Sequence, residues 1–517
     1  LDPTGTFDRL PDGPGLTIDE SLNVQQGVRL EIGLRYLALG VVDLREVFGA
    51  SDALGTYMAD YPPLGRWLLG VSHNLVTAFA RPDGWDSPFV YAAGRFASAV
   101  AFAVTVFFIG GFTRRRYGVV AGLTAAAGLV MMPRVFGHAH IASLETLIGL
   151  FFTATVLSVA ERWRAAERIP ARAALCAGFL LGLALLTKIQ AVLLPIPIAL
   201  WALWHWRGRA IVPLAVFGAT GGFVFFLGWP WLWLDPVDHL IEYLGRSTDR
   251  ISLPVWYLGR VFPDKEAPWH YPFVMFAVTV PVGLQALGAI GIFAGHPDRE
   301  GPPGWRDPAV RLLLAYLIFP LLVFAVPGVA VYDGARLFLV SFPLWAVLIG
   351  RGGGVAWNWL RTKSSSRVAT IVLMYFLVGQ AYGIVTDRPT YLSYYNLLVG
   401  GLAGAERLGF EPTYWGDSIT SELLDAAAEA VPEGGTLAVS PVLHQFQLDD
   451  LRTQSPALRR RNIRLVEYDT PAANNADAVL VFERRASLPD ELRRRLAVAD
   501  PIAIVERQGV RLAGVYP

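Results

Sequence analysis

Residues 88–116 read PFVYAAGRFASAVAFAVTVFFIGGFTRRR, an apolar run closed by three consecutive arginines, Arg114, Arg115 and Arg116. A helix of this length crosses the roughly 30 Å hydrocarbon core of a bilayer. Apolar runs recur near 117–132, 141–160, 172–187, 189–206, 210–233, 271–294, 309–327, 336–350 and 367–385. The runs at 117, 172 and 336 are short, and 172–206 reads equally as one re-entrant hairpin. The predicted fold class is a polytopic α-helical membrane protein of about ten transmembrane helices. Composition agrees: 54% of the 517 residues are hydrophobic, 17% are charged and the mean hydropathy is +0.42, too apolar for an ordinary soluble chain.

Lys and Arg mark the cytoplasmic loops of a membrane protein. Here one set of alternate loops carries Arg114–Arg116, Arg162, Arg164, Arg168, Arg172, Arg207, Arg209, Arg299, Arg306, Arg311, Arg351, Arg361, Lys363 and Arg367. The opposite short connections carry only Arg134, Lys188 and Arg336, and the longer 234–270 segment adds Arg246, Arg250, Arg260 and Lys265. The first set is therefore read as cytoplasmic. Three regions follow: an outer loop with amphipathic juxtamembrane helices at 1–87, a transmembrane domain at 88–386, and an extracytoplasmic α/β domain with its connecting segment at 387–517. In the last, helices are expected near 418–430 and 488–496, with strands at 436–440, 463–468, 478–482 and 502–505. The net charge of +1 gives no basis for nucleic-acid binding. The single cysteine, Cys176, excludes an intrachain disulfide and reads as a small buried residue. The chain opens on Leu1 in a polar Pro/Gly stretch, and further sequence is expected upstream.

Polar residues with chemical potential gather on the outer side. Asp19-Glu20 precedes an amphipathic stretch, Leu22 to Val47; a carboxylate pair at a membrane surface serves as general base or metal ligand, and a helix start with Asp19 or Ser21 at the N-cap and Glu20 favourable near the first turn explains it as well. Asp60-Tyr61-Pro62-Pro63 is a rigid helix start. His138-Ala139-His140 leads to Glu145, an ionisable group inside a span; two histidines suit a metal or interfacial hydrogen bonds equally. Lys188 sits at the outer end of a span, where it holds an anionic lipid phosphate or snorkels. Lys265 to Tyr271, with His270, and Tyr332-Asp333-Gly334-Ala335-Arg336 place further charges at the boundary; Arg336 suits bidentate phosphate contact, and an aromatic belt with one ion pair accounts for both segments too.

These motifs, with Tyr391-Leu-Ser-Tyr394-Tyr395-Asn396 through Gly400-Gly401 to Tyr414-Trp415-Gly416, resemble the GT-C superfamily of membrane glycosyltransferases, on the branch of protein O-mannosyltransferases and lipid A aminoarabinose transferases. They run in family order from residue 19 to about 416. The chain departs from the family at Glu145, where relatives often carry Asp, and at Tyr61, where they often carry His. The resemblance implies a first transmembrane helix before Leu1, giving eleven, and transfer of one sugar from a polyprenyl-phosphate donor to an acceptor hydroxyl at the outer leaflet, with inversion. Asp19 is then the catalytic base and Glu20 and Glu145 position acceptor or metal. Lys188 and Arg336 hold the departing phosphate, and Tyr61, His138, His140, His270 and Asp333 complete the site. The resemblance fixes no cofactor, and a divalent metal ion is left open because some relatives use one. The expected partners are the lipid-linked donor, a protein, lipid or glycan hydroxyl, and membrane lipids, with the protein in a bacterial inner membrane. The rival function is a transporter or lipid flippase; its usual internal repeat and midplane charges are not seen.

Overall fold

The computed structural model describes residues 13–49, 58–80, 87–163, 168–248, 251–296, 303–441, 443–496 and 498–517. Arg164, Arg250 and Arg299 of the charge count lie outside these. All ten apolar runs form helix. Among the described residues, five helical stretches are long and apolar enough to cross a membrane: Tyr91–Tyr117, Leu144–Arg162, Ile189–Leu227, Arg336–Lys363 and Ser366–Thr386. The third is itself interrupted by a tighter turn at Arg207–Ala210. Val119–Val130, Ala171–Leu185 and Pro308–Phe324 are shorter.

The run near 271–294 is not one straight helix. It divides into Tyr271–Thr279 and Val282–Phe293, bent by 109° at Val280-Pro281. Proline cannot donate to the preceding turn, so carbonyls at the break lose their helical partners. Asn396 supplies them: its side-chain amide donates to the oxygens of Ala277 at 2.7 Å and Val280 at 2.6 Å, and its backbone N–H donates to Val278 at 2.8 Å. The Tyr391–Asn396 segment thus repairs a broken span.

The amphipathic stretch expected from Leu22 to Val47 is two helices, Ile18–Ala38 and Leu44–Phe48, divided at Gly40, whose φ of +70° leaves the helical region. The buried side of the first mixes apolar Val24, Val28 and Leu30 with polar and small residues, Asn23, Gln26 and Gly27 among them. The reason is the crossing with helix Pro63–Phe79, where the two backbones touch at Gly27 and Gly70; a Cβ on Gly70 would lie 2.0 Å from the Gly27 oxygen. Cys176, expected to be buried, is exposed on helix Ala171–Leu185.

The C-terminal region is a five-stranded sheet. β1 (Pro254–Tyr257) and β2 (Arg260–Pro263) form a separate hairpin between spans. β3 (Thr436–Ser440), β4 (Arg464–Glu467), β5 (Ala478–Phe482), β6 (Ala503–Arg507) and β7 (Val510–Tyr516) then pair in the order β4-β3-β5-β7-β6. β3 lies parallel to β4 and β5, while β7 runs antiparallel to β5 and β6. β3 and β5 are buried at every residue, so β5 reads as an unbroken apolar run and β3 as Leu437-Ala438-Val439 between Thr436 and Ser440. The domain seats on the first helix. Gln447 donates to the Ile18 carbonyl at 2.8 Å, Gln25 donates to Asp450 at 2.7 Å, and Ile18 N–H donates to the Trp415 carbonyl at 3.0 Å.

Candidate active site

Four separate breaks in regular structure bring charged side chains to one place. Asp19 is the second residue of helix Ile18–Ala38, opening beside Thr17. Glu145 is in the first turn of Leu144–Arg162, capped by Ser143. Lys188 is held in extended conformation between helix Ala171–Leu185 and the turn Ile189–Leu193. Asp333 and Gly334 adopt φ of +54° and +65°, a tight reversal that delivers Arg336 at the head of the buried stretch leading into helix Phe342–Lys363. Left-handed φ is uncommon for a residue with a side chain, so Asp333 is held there by its contacts.

Arg336 is the hub. Its Nε donates to Glu145 Oε1 at 2.7 Å, its Nη1 donates to Asp333 Oδ2 at 3.0 Å, and its Nη2 donates to Asp19. Its guanidinium lies 4.2 Å from the ring centre of Trp415. Lys188 Nζ reaches the same Glu145 oxygen at 2.5 Å and stands 5.6 Å from the Tyr61 ring. Ser143 Oγ donates to Glu145 Oε2 at 2.9 Å and lies 3.1 Å from His138 Nδ1. Because that hydroxyl proton is directed at Glu145, the histidine nitrogen is the donor in the second contact. Burial pushes the His138 imidazole down to about 3, so it is neutral and serves as a hydrogen-bond post.

Glu145, Lys188, Arg336 and Asp333 are all less than a tenth exposed, while the Asp19 side chain is 32% exposed. Asp19 is therefore the accessible rim of an otherwise closed network. Tyr61 stands over Lys188 and is also 4.9 Å from Arg66, whose guanidinium pairs with Asp60. Packing pushes its phenol up to about 12, so it remains a proton donor.

Three expected residues are not brought into this network. Glu20 turns away from its neighbour Asp19, since consecutive helical residues point about 100° apart. Its carboxylate accepts from Arg95 at 2.7 and 2.9 Å, from the Ala142 N–H at 2.7 Å and from the Thr17 N–H at 2.9 Å. It anchors the first helix; the N-cap is Thr17, not Asp19 or Ser21. His140 is exposed and donates to the Phe136 carbonyl at 2.8 Å, while His270 is 2.8 Å from the Tyr257 hydroxyl. Sequence reading missed Ser143, Arg95 and Arg484. An arginine inside an apolar run was the available signal for Arg95; nothing in the neighbouring sequence marked Arg484. Among the described residues no group of three or more His, Cys, Asp or Glu is placed to hold a metal ion, and each carboxylate of the network is taken by a guanidinium or ammonium.

Residues 60–233 match the family model described as dolichyl-phosphate-mannose-protein mannosyltransferase, a segment that contains Tyr61, His138, Glu145 and Lys188. The GT-C likeness read from the motifs is thus met by an independent family model. Similar solved structures include ArnT from Cupriavidus metallidurans, solved in the apo state and bound to undecaprenyl phosphate, at 15% identity and a TM-score of 0.47 over 98% of this chain and 94% of that one. The Archaeoglobus fulgidus oligosaccharyltransferase tethered with an acceptor peptide is 13% identical, with a TM-score of 0.44 over 88% of this chain and 61% of that chain. The arabinofuranosyltransferase AftD from Mycobacteria is 15% identical, with a TM-score of 0.41 over 98% and 38%. No curated protein sequence matches.

Proposed function

We propose, from the family match across residues 60–233 and the charged network beside it, that this chain is an inverting membrane glycosyltransferase. It moves one sugar from a polyprenyl-phosphate carrier to an acceptor hydroxyl on the extracytoplasmic side. The observation that carries the reading is Arg336 and Lys188, both buried at the end of the helical bundle, converging on Glu145 beside a single accessible carboxylate, Asp19. Buried cations of this kind are costly in a membrane protein and mark substrate sites.

The network carries three carboxylates, Asp19, Glu145 and Asp333, against three cations, Lys188, Arg336 and Arg484. A phosphate entering beside Arg336 displaces Asp19, whose pairing is the exposed one. Asp19 is then free to face the acceptor. The acceptor oxygen attacks the anomeric carbon, the bond from that carbon to the phosphate oxygen breaks, and its electron pair leaves with the phosphate. The acceptor proton passes to Asp19 as the new bond forms. Arg336 and Lys188 stabilise the charge growing on the leaving phosphate, and fixed cations do this best where water is scarce. One displacement inverts the anomeric centre. Tyr61, protonated, donates to a phosphate oxygen.

The test is a panel of radiolabelled polyprenyl-phosphate sugars offered to the purified chain in lipid nanodiscs with alcohol, peptide and glycan acceptors. Release of free polyprenyl phosphate, lost on Arg336→Met, supports the reading. An unaltered donor across the whole panel contradicts it.

A further inference from the structure

The C-terminal region meets the charged network at two side chains, the Trp415 ring beside Arg336 in the connecting segment and Arg484 in the sheet domain. Arg484 lies two residues beyond β5, and its Nη2 donates to Asp333 Oδ1 at 3.1 Å. The other oxygen of that carboxylate receives Arg336 at 3.0 Å. Asp333 is therefore a bridge between two guanidiniums, one from the membrane domain and one from the sheet domain. Both Arg484 and Asp333 are largely buried.

The loop carrying Arg484 is itself pinned. The carboxylate of Glu411, in the connecting segment, accepts from the backbone N–H of Arg485 and, at 3.2 Å, from that of Ala486. Arg485 also pairs with Glu406, and Arg493 donates to the Arg485 carbonyl at 2.9 Å. On the other side, Gly334 N–H donates to the Tyr271 hydroxyl at 3.1 Å, tying the reversal to the start of the bent span. A residue held at a φ of +54° needs such contacts, because the conformation is disfavoured for a side chain larger than hydrogen. Removing one guanidinium from the bridge leaves the Asp333 carboxylate with a single partner and releases the arm that orients Arg336.

We infer that Arg484 is a positioning residue for the donor-phosphate site: acting through Asp333 it fixes Arg336, so the C-terminal domain completes the site. The inference rests on the reading above that Arg336 receives the donor phosphate.

The experiment measures the affinity of the intact chain for a short-chain polyprenyl phosphate in nanodiscs, for the parent, Arg484→Met, Asp333→Asn and the double variant, with Arg336→Met as reference. Arg484→Met is expected to weaken binding about tenfold, the size of coupling found between groups in one ion-pair network. In the Asp333→Asn background the same change is expected to weaken it by less than about twofold, because the route through the carboxylate is already gone. A tenfold loss in both backgrounds overturns the inference, as does parental binding by Arg484→Met while Arg336→Met binds poorly. Should the methionine variant not fold, Arg484→Lys in the same two backgrounds carries the test, with an expected loss of about threefold that vanishes when Asp333→Asn is also present. Parental binding by Arg336→Met overturns the phosphate-site reading itself and this inference with it.

Discussion

Arg336 and Glu145 stand 191 positions apart in the chain, yet the Nε of one lies 2.7 Å from the Oε1 of the other, both almost wholly buried. Lys188 meets the same oxygen. One carboxylate thus gathers two cations from two different breaks in the helical bundle, and an uncompensated charge in that setting is expensive. Glu145→Gln is expected to cost about 3–5 kcal/mol of stability by leaving Lys188 and Arg336 short of a counter-charge. Thermal unfolding in a fixed detergent reads this directly; a melting temperature unchanged from the parent contradicts it.

Arg95 has a different task. It emerges from an apolar helix to take both oxygens of Glu20, and together they hold the start of the first helix against Ala142. Arg95→Met is expected to strand the Glu20 carboxylate and lower stability by about 3 kcal/mol. Parental stability of that variant would show the pair to be dispensable for holding Asp19 in place.

The Gly27 and Gly70 crossing sets the distance between the first helix and the Pro63–Phe79 helix. Gly70→Ala puts a methyl 2.0 Å from the Gly27 oxygen, so the helices must part. The expected cost is about 1–3 kcal/mol, together with weaker donor turnover as Asp19 moves with its helix. Ser72→Ala on the same helix tests the specificity of the effect, since it removes the hydroxyl that donates to the Ala93 carbonyl and accepts from the Ala97 N–H, and adds no bulk.

How much of this was legible in the chain follows from which signals are local. The apolar runs were, because bilayer thickness imposes a length that shows in one dimension. The buried strands β3 and β5 were, because burial on both faces leaves short apolar strings, Leu437–Val439 and Ala478–Phe482. The hairpin β6–β7 was missed at its second strand: Val510–Tyr516 alternates with Arg511 and Gly514 and carries no unbroken run. Asp19, Glu145, Lys188 and Arg336 stood out singly as charges at membrane boundaries, but their mutual contact depends on breaks at Lys188 and Asp333 that no periodicity announces. Glu20 looked equal to Asp19 in sequence, and only the direction of the helix separates them. Arg484 was one arginine among many in a polar domain, and its meeting with Asp333 is purely tertiary.

Glu411 offers a pH test. Burial pushes its carboxyl up to about 8 despite the nearby Arg484 and two backbone donors. A carboxyl raised in the folded state binds its proton more tightly there than in the unfolded chain. Its contribution to stability is therefore full below the ordinary carboxyl range and declines as pH rises from that range to about 8, levelling off above it. Glu411→Gln is expected to flatten that part of the profile of unfolding temperature against pH from about 5 to about 9. Identical slopes for parent and variant contradict the assignment.

In the proposed reaction Asp19 takes the acceptor proton while Arg336 and Lys188 receive the departing phosphate. The most direct measurement compares single-turnover sugar transfer by the parent and by Asp19→Asn, on whichever polyprenyl-phosphate sugar the parent accepts, with polyprenyl-phosphate affinity recorded for both. Transfer by Asp19→Asn is expected to fall by at least about a hundredfold, in line with loss of a general base, while phosphate affinity is retained or increased because Arg336 has lost its competing carboxylate. Equal transfer rates in the two proteins would contradict it.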